Sequence, residues 1–423
     1  MIDIKELRAE PDKFAQAAES KKIDVDIDEL LRIDEQLLDA QRELQDIRTK
    51  QNRAGKEIAK LSGKQKQQAI EEMSRLKARA KELEDQAAEL EPTHRDLLLR
   101  VPQVPSEEVP FGESEDDNVE VRRVGEPRKF DFEPKDHVEL GKALDIIDIE
   151  RGVKLAGSRN FALKGAGALL HQAVLRLALD QMIAKGWTLL TVPVLVSEQA
   201  MVGTGHFPLG REESYLVERD EMALVGTAEV PVTGFHADEI LAREELPKKY
   251  VALSTCFRRE AGAAGKDTYG LYRIHYFDKV EQVVVGLNDA EQSLELHSEI
   301  LANSEDVLNA LELPYRVVNC CTGDIGIGQV QRFDIETYMP SRGAYGETHS
   351  ASRYHDFQAR RLNIRYRDDD GELQYCHTLN NTVIASPRIL IPILELYQNA
   401  DGSVTVPQAL RPYMHGMEKI TPA

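Results

Sequence analysis

The sequence predicts an α+β protein with two parts: an N-terminal antiparallel coiled-coil hairpin, and a larger domain with a mainly antiparallel sheet flanked by helices. Two observations predict this fold. Apolar residues recur at alternating steps of three and four within residues 1–100, which is the heptad pattern of a coiled coil. After residue 136, β-rich runs accumulate without the regular strand and helix alternation of a doubly wound parallel sheet.

Length and charge limit the organisation of the chain and its partners. At 423 residues, the chain is long enough for two or three domains. Its formal net charge of -20 argues against a surface coated with basic residues, so any contact with nucleic acid must be local. The first residues contain no apolar signal segment, and no run reaches the roughly 18 apolar residues of a membrane span. We therefore expect a cytoplasmic protein with no membrane partner.

The cysteines give no indication of a metal site or of disulfides. No two of the four cysteines have the spacing of a zinc site or of a disulfide framework; they are Cys256, Cys320, Cys321 and Cys376. We therefore expect no structural metal.

Residues 1–100 are predicted to form a helical domain with a long arm. One heptad seam runs from Leu30 to Leu61 and a second from Met73 to Leu97. Ser62-Gly63-Lys64 lies between them, so we predict a helix stop there and a short turn that joins two antiparallel helices. A first helix of about 32 residues would extend roughly 48 Å at ~1.5 Å per residue, which is too long for half of an ordinary globular core.

The tip of this hairpin is basic within an acidic chain. Residues 42–81 contain twelve Lys and Arg residues but only five Asp and Glu residues. An ordinary coiled coil also carries charges outside its seam, so a solvated face is the alternative interpretation. The local reversal of sign favours contact with RNA phosphates. The candidate residues are Lys50, Arg53, Lys56, Lys60, Arg75, Lys77 and Arg79.

Residues 101–135 and 136–423 differ in composition. The first segment is rich in proline, glycine and acidic residues, which predicts a linker followed by one or two entry strands. In the second, helices are predicted at 169–184 and 290–311. The predicted strands include 192–196, 280–285 and 315–318.

The segment with the most chemical information is 256–281, which is predicted to form a strand, a glycine-rich loop and a second strand. Arginine binds carboxylates and phosphates through paired hydrogen bonds, and an aromatic ring offers a face for a purine. Such a combination suits acyl-phosphate chemistry on a nucleotide. The alternative is a hairpin whose alternating charges face water. The residues that could share one face are Arg258, Glu260, Arg273, Phe277 and Glu281.

A second informative segment is 378–390, where a buried strand runs into a helix. Arg388 lies near the predicted helix start, where backbone N–H groups and the helix dipole favour anions. It could therefore meet a terminal phosphate. The alternative is an arginine that pairs with a surface acid.

These segments resemble motifs 2 and 3 of the class II aminoacyl-tRNA synthetases, and Pro193 resembles the motif 1 proline at the dimer interface of that family. Further segments resemble its seryl branch: 226–229, 322–324, 347–350, 356–361 and 406–414. The resemblance spans nearly the whole chain. It implies a homodimeric ligase that converts L-serine and ATP to seryl-adenylate and pyrophosphate. It also implies transfer of serine to the 3′ end of tRNA(Ser), with tRNA(Sec) as a second candidate acceptor.

The resemblance implies a role for each matching residue. Arg258 would bind the substrate carboxylate and the α-phosphate, Glu260 would hold the nucleotide and Arg388 would take the γ-phosphate. The implied serine-binding residues are Thr227, Ala228, Glu229, Arg258, Glu281 and Thr382. The implied ATP-binding residues are Arg258, Arg259, Glu260, Ile274, Phe277, Glu347, Thr348, His349, Ser350 and Arg388. Among these, Phe277 would stack on adenine with Ile274 behind it, and Glu347 and Ser350 would ligate Mg²⁺.

Two other functions fit parts of the pattern. A related ligase that aminoacylates a protein carrier should lack the basic arm, which this chain possesses. A catalytically silent paralogue acting as an RNA-binding or scaffold protein should have lost Arg258, Glu281 or Arg388, and all three are present. We therefore predict an active enzyme.

Overall fold

Two structural units divide the chain: Ile2–Pro102, and Gln103–Ala423 together with Met1. The computed structural model describes residues 1–58, 61–262 and 269–422, with residues 56 and 57 as backbone only. Within the described residues, no helix combines the length and the apolar character needed to span a bilayer. The four cysteines are free and buried.

The first unit consists of helices α1 (Ile4–Ala9), α2 (Pro11–Ser20), α3 (Ile27–Ile58) and α4 (Gly63–Arg100). Helices α3 and α4 pack along the predicted seam, where the buried cluster comprises Ala40, Leu44, Ile47 and Leu83. Further along the hairpin, Asp34 accepts a hydrogen bond from Arg8 at 2.6 Å and lies 3.0 Å from Nε2 of His94. A buried polar cluster therefore supplements the apolar seam.

The predicted helix stop at Ser62-Gly63-Lys64 is wrong. Helix α4 begins at Gly63, and Ser62 occupies its N-cap position. Gly63 has φ +60°, a backbone conformation that glycine adopts without the steric cost of a side chain. The glycine therefore forms the entry to the second helix, and Leu61 lies outside both helices.

The second unit contains eight further helices and eighteen strands among its described residues. The helices are α5 (His137–Ala143), α6 (Ile149–Ala156), α7 (Gly165–Ala184), α8 (Glu198–Thr204), α9 (Glu229–Thr233), α10 (Ala290–Ala310), α11 (Phe357–Leu362) and α12 (Leu390–Leu396). The small sheets comprise β2 (Ile147–Asp148) with β3 (Ala162–Leu163); β5 (Leu195–Ser197), β6 (Leu216–Val217) and β7 (Met222–Leu224); β8 (Ile240–Leu241), β14 (Arg365–Arg367) and β15 (Leu373–Tyr375); and β17 (Val404–Thr405) with β18 (Lys419–Ile420).

The main sheet comprises β1 (Val119–Val124), β4 (Thr188–Leu190), β9 (Lys248–Phe257), β10 (Tyr276–Gly286), β11 (Tyr315–Asn319), β12 (Gln331–Met339), β13 (Ala344–His355) and β16 (His377–Ser386). Its order is β1-β11-β12-β13-β16-β10-β9-β4. Every neighbouring pair is antiparallel except β4 with β9. The predicted mainly antiparallel sheet is therefore confirmed.

The alternation of side chains along β10 separates the apolar core from the site. Val280 and Val284 belong to the core cluster that includes residues of α7 and α10, and Gln282 contacts Met182 of α7. Successive side chains of a strand point to opposite faces, so Lys279 and Glu281 face the other side of the sheet. The polar cavities lie on that side.

Residues 101–135 contain one strand, β1, which pairs antiparallel with β11 at the edge of the main sheet and agrees with the predicted entry strand. Before it, Gln103 donates its backbone N–H to Ile327. One predicted segment needs correction. The predicted strand at 192–196 is shorter than expected and starts at Leu195. By contrast, α7 and α10 match the predicted helices closely.

Candidate active site

The β9-β10 hairpin positions the first group of functional side chains. The strands pair with Cys256 opposite Phe277, and the backbone N–H of Arg258 donates to the carbonyl oxygen of His275 at 2.9 Å. Arg273 donates to Glu260 Oε2 at 2.9 Å. Residues 263–268 of the predicted glycine-rich loop lie outside the described residues. The described ends of the hairpin bring two arginines and a carboxylate to one cavity.

Three cavities meet at Arg258. The first, of about 630 Å³, is lined by Glu260, Arg273, Glu347 and Arg388 among others. A second, of about 480 Å³, extends towards the predicted serine-binding residues. A small third cavity contains the predicted adenine site; its lining includes Ile274, Phe277, Thr348 and Ala385. Arg258 is common to all three linings.

Aromatic rings hold the two principal arginines. The guanidinium carbon of Arg258 lies 5.2 Å from the ring centroid of Phe277. The guanidinium carbon of Arg388 lies 4.4 Å from that of Tyr272, and its Nε donates to the carbonyl oxygen of Tyr272 at 3.1 Å. Tyr272 was not among the predicted site residues. Arg388 follows β16 and precedes α12, as its sequence position predicts.

The second cavity brings together side chains that are distant in sequence. Its lining includes Thr227, Glu229, Glu281 and Thr382. Glu281 lies opposite Thr382 in the β10-β16 ladder, and the Thr382 hydroxyl donates to Glu281 Oε2 at 3.3 Å. Glu229 accepts a hydrogen bond from Gln358 at 2.7 Å. Burial raises the pKa of Glu229 and that of Glu281.

The most important residue that the sequence analysis missed is Lys279. Its ammonium group lies 2.8 Å from Thr227 Oγ1 and 3.3 Å from Thr382 Oγ1, and it forms an ion pair with Glu281. The available signal was the period of two along β10, which places Lys279 on the same face as Glu281.

Glu347 and Ser350 provide the oxygen atoms of the predicted magnesium site. Both line the second cavity, and oxygen ligands are those that Mg²⁺ prefers. Enclosure in the cavity raises the pKa of Glu347, but the surrounding arginines, Arg388 first, hold it below its usual range. The carboxylate is therefore ionised and suited to a cation.

A second acidic cluster already contains a cation. Among the described residues, Cys320, Asp324 and Asp334 place ligand atoms within 4.8 Å of one another. However, Arg332 donates to Asp324 at 2.6 Å and to Asp334 at 2.9 Å, and its Nε lies 3.3 Å from Cys320 Sγ. The guanidinium group occupies the position that a metal ion would need.

Three predicted ligands do not line the three cavities. His349 is buried, and its Nδ1 lies 2.8 Å from Thr348 Oγ1; burial lowers its pKa to about 3, so a neutral ring packs in the core. Ala228 belongs to a buried apolar cluster and offers only its backbone. Arg259 is exposed and does not line the three cavities; its backbone N–H donates to Glu213. The assignment of these three residues to substrate binding stays a prediction.

The predicted RNA-binding residues of the arm fall into three groups. Arg79 is exposed but donates to Glu43 at 2.7 and 2.9 Å, so it links α4 to α3 within the hairpin, and its contact with RNA stays a prediction. The side chain of Lys56 and the whole of Lys60 lie outside the described residues. The remaining candidates are exposed: Lys50, Arg53, Arg75 and Lys77.

Comparisons with known proteins cover the whole chain. Residues 1–105 match the model of the seryl-tRNA synthetase N-terminal domain, and residues 215–397 match that of the tRNA synthetase class II core domain (G, H, P, S and T). A serine–tRNA ligase from Deinococcus radiodurans is 47% identical over 418 residues, which are 99% of this chain and 98% of that protein.

Solved structures of seryl-tRNA synthetases are also similar to this chain over nearly its whole length. The seryl-tRNA synthetase from Pyrococcus horikoshii complexed with ATP superposes with a TM-score of 0.93 at 37% identity and covers 100% of both chains. The cytoplasmic serine–tRNA ligase from Naegleria fowleri in complex with AMP has a TM-score of 0.85 at 31% identity, covering 97% of this chain and 96% of that one.

Proposed function

The chain belongs to the seryl-tRNA synthetase family of class II ligases, and from this premise we propose how its own residues carry out serine activation and transfer. The overall reaction is ATP-dependent serine–tRNA ligation. Serine is first converted to seryl-adenylate with release of pyrophosphate, and the seryl group then passes to the 3′ end of a tRNA.

The observation that supports the activation mechanism is the position of Arg258, which lines all three cavities. A serine carboxylate oxygen attacks the α-phosphorus of ATP and forms a new P–O bond. The bond between the α-phosphorus and the oxygen that bridges it to the β-phosphate breaks, and pyrophosphate leaves. Negative charge spreads over the reacting phosphate and the leaving pyrophosphate. Positioned cations stabilise that charge, and the attacking carboxylate needs no general base. Arg258 binds the α-phosphate and stabilises its charge, and Arg388 does the same for the terminal phosphates.

Binding of ATP uses the remaining residues of the first and third cavities. Phe277 and Ile274 support the adenine ring, and Glu260 helps to hold the nucleotide. Glu347 and Ser350 would hold Mg²⁺, which supplies positive charge to the phosphates when bound. Thr348 lines the third cavity and contributes to its shape.

The serine substrate is assigned to the second cavity. Glu229 and Thr227 would bind the substrate ammonium group, and Glu281 and Thr382 would bind its hydroxyl; all four line this cavity. A site that hydrogen-bonds a substrate hydroxyl can reject the analogue that lacks it by roughly 10⁴-fold, because its polar groups would otherwise stay unpaired. Alanine is the critical competitor.

The arm is proposed to bind the acceptor tRNA(Ser), with tRNA(Sec) as a second candidate. Lys50, Arg53, Arg75 and Lys77 are exposed within the basic segment. Cations of this kind contact the RNA backbone and read shape more than sequence.

A homodimer is proposed through the edge of the main sheet at β4. Pro193 is exposed there, together with the apolar side chains of Leu189, Leu195 and Leu253. Burial of such residues in a second copy would remove apolar surface from water. Sedimentation equilibrium should give twice the chain mass, and Leu189→Glu should lower the association constant.

The test of the proposed function is ATP–pyrophosphate exchange with a panel of amino acids, followed by charging of tRNA(Ser). Serine should support exchange, and alanine should be weaker by roughly 10⁴-fold. Exchange that is supported equally by another amino acid would contradict the serine site. Exchange without tRNA charging would favour a protein-carrier ligase.

A further inference from the structure

Lys279 connects three separate parts of the second cavity. The residue is only 5% exposed, and its ammonium group contacts Thr227 and Thr382 and pairs with Glu281. These partners come from the segment before α9, from β16 and from β10. One buried cation is therefore common to the side chains assigned to serine.

The three contacts account for all the donors of Lys279. A lysine ammonium has three N–H donors and no acceptor. Because each donor has a protein partner, no N–H remains for the carboxylate or phosphate groups of the substrates. Lys279 consequently acts through its neighbours and does not bind substrate itself.

The same contacts determine the direction of the neighbouring hydrogen bonds. Because Thr382 accepts from the ammonium group, its own O–H donates to Glu281 Oε2, 3.3 Å away. The carboxylate of Glu281, paired with the Lys279 ammonium group, can only accept. The atoms that Glu281 leaves to the ligand are thus acceptors, and a serine hydroxyl can donate to them, whereas alanine cannot.

The charge of Glu281 depends on its surroundings. Burial raises its pKa, nearby Glu229 adds to this rise, and Lys279 acts in the opposite direction. Arg258 lines the same cavity. His206 also lines it and is neutral, because burial lowers its pKa to about 4. The nearby Cys256 thiol is neutral too, because burial raises its pKa.

We propose that Lys279 is a positioning residue for amino-acid selection: its ammonium group keeps Glu281 anionic and holds Thr227 and Thr382 in the orientations that receive serine. This inference rests on the proposed serine site. It assigns part of the discrimination between serine and alanine to Lys279, which does not contact the substrate.

The test is Lys279→Met, which keeps an unbranched side chain of nearly the same length and removes the charge and the donors. Serine KM should rise by roughly 10²-fold, and the ratio of kcat/KM for serine over alanine should fall by at least about tenfold. The kcat and the ATP KM should stay within about threefold of the parent values. An interaction that is lost equally from bound serine and from the transition state raises the serine KM alone.

The pH profile separates positioning from simple packing. Without Lys279, the Glu281 carboxyl protonates at a higher pH than in the parent enzyme. Serine KM of the variant should therefore rise on acidification from about pH 9 to about pH 6, over a range in which the parent changes less. A structural defect would lower activity equally at every pH.

A second variant and a control complete the test. Lys279→Gln keeps two N–H donors but removes the charge, so it should show the same pH dependence with a smaller loss of serine binding at high pH. If Lys279→Met does not fold, Lys279→Gln is the variant to measure. Lys249→Met, which removes an ion pair with Glu299 outside the cavities, should behave as the parent.

The outcomes are distinguishable. A folded Lys279→Met or Lys279→Gln enzyme with the parent's serine-to-alanine ratio and pH profile would overturn the inference and leave Lys279 a packing residue. If the parent enzyme itself shows no serine-dependent exchange, the proposed function fails and this inference fails with it.

Discussion

Arg258 lies where the three cavities meet, and its guanidinium group is held beside the ring of Phe277. At this scale, catalysis depends on a charge whose position is set before the substrates bind. Such preorganised charge stabilises a transition state without the reorganisation that water would need. The neighbouring Arg259 has the same charge and is also exposed, but it does not line the three cavities.

The first prediction compares these two neighbours. Arg258→Ala should lower serine-dependent pyrophosphate exchange by at least ~10²-fold, because one preorganised donor is lost from the α-phosphate. Arg259→Ala should leave exchange near the parent rate. Circular dichroism and thermal unfolding would establish that both variants fold. Near-normal exchange by a folded Arg258→Ala enzyme would refute the site assignment.

The second prediction concerns the hydroxyl of Thr382. Thr382→Val keeps the shape of the side chain but removes both its donor to Glu281 and its acceptor for Lys279. Discrimination between serine and alanine should fall by roughly tenfold, the effect of about 1.5 kcal/mol for one hydrogen bond. The measurement is the ratio of kcat/KM values, with the ATP KM as an internal control. An unchanged ratio would mean that Thr382 has only a structural role.

At the scale of elements, the arm contains two kinds of basic residue. Arg79 on α4 pairs with Glu43 on α3 and therefore helps to hold the hairpin together. Lys50, Arg53 and Lys77 are exposed near the tip. Sequence alone assigns all of them the same charge and the same RNA-binding role. Their different partners indicate different functions.

The third prediction uses that difference. If about three to five cations contact phosphates, the slope of log K against log salt for tRNA binding should be about -2 to -5. Replacing Lys50, Arg53 and Lys77 by Gln should flatten this slope without changing pyrophosphate exchange. Arg79→Gln, as the matched control, should change the slope little. Equal slopes for the triple variant and the parent would argue that the tip is only a solvated face.

At the scale of the whole molecule, activation and tRNA binding are assigned to different units. The residues assigned to activation lie in Gln103–Ala423, and the arm lies in Ile2–Pro102. The hairpin base has its own stabilising contacts, since the buried Asp34 carboxylate accepts a hydrogen bond from Arg8 and lies 3.0 Å from Nε2 of His94. A shortened arm should therefore still pair.

The fourth prediction tests this division. Removal of residues 45–90, with the stubs joined by a short turn, should leave serine activation largely unchanged and should abolish efficient transfer to tRNA. The retained helices keep Asp34 and His94. The measurements are pyrophosphate exchange and tRNA charging on the same preparation. A trimmed enzyme that charges tRNA at the full-length rate would show that the arm is a structural spacer.

Much of the fold follows from patterns that are local in the sequence. The heptad seam predicted the packing of α3 on α4, and the apolar helices and β-rich runs predicted a mainly antiparallel sheet. These predictions succeed because periodicity along one element decides which face is buried. The helix stop at Ser62-Gly63-Lys64 failed for a local reason too: the glycine suits a helix entry with positive φ as well as an exit.

The sequence by itself determined the class of fold, the arm and most of the charged candidates for the site, because each depends on local spacing or on residue type. Only the tertiary structure decided how those residues are used. Lys279 meets Thr382 across 103 residues, and Arg79 meets Glu43 across 36. His349 turned out to be buried in the core. Such outcomes depend on which distant groups the fold brings within a few ångströms, and side-chain periodicity does not encode that distance.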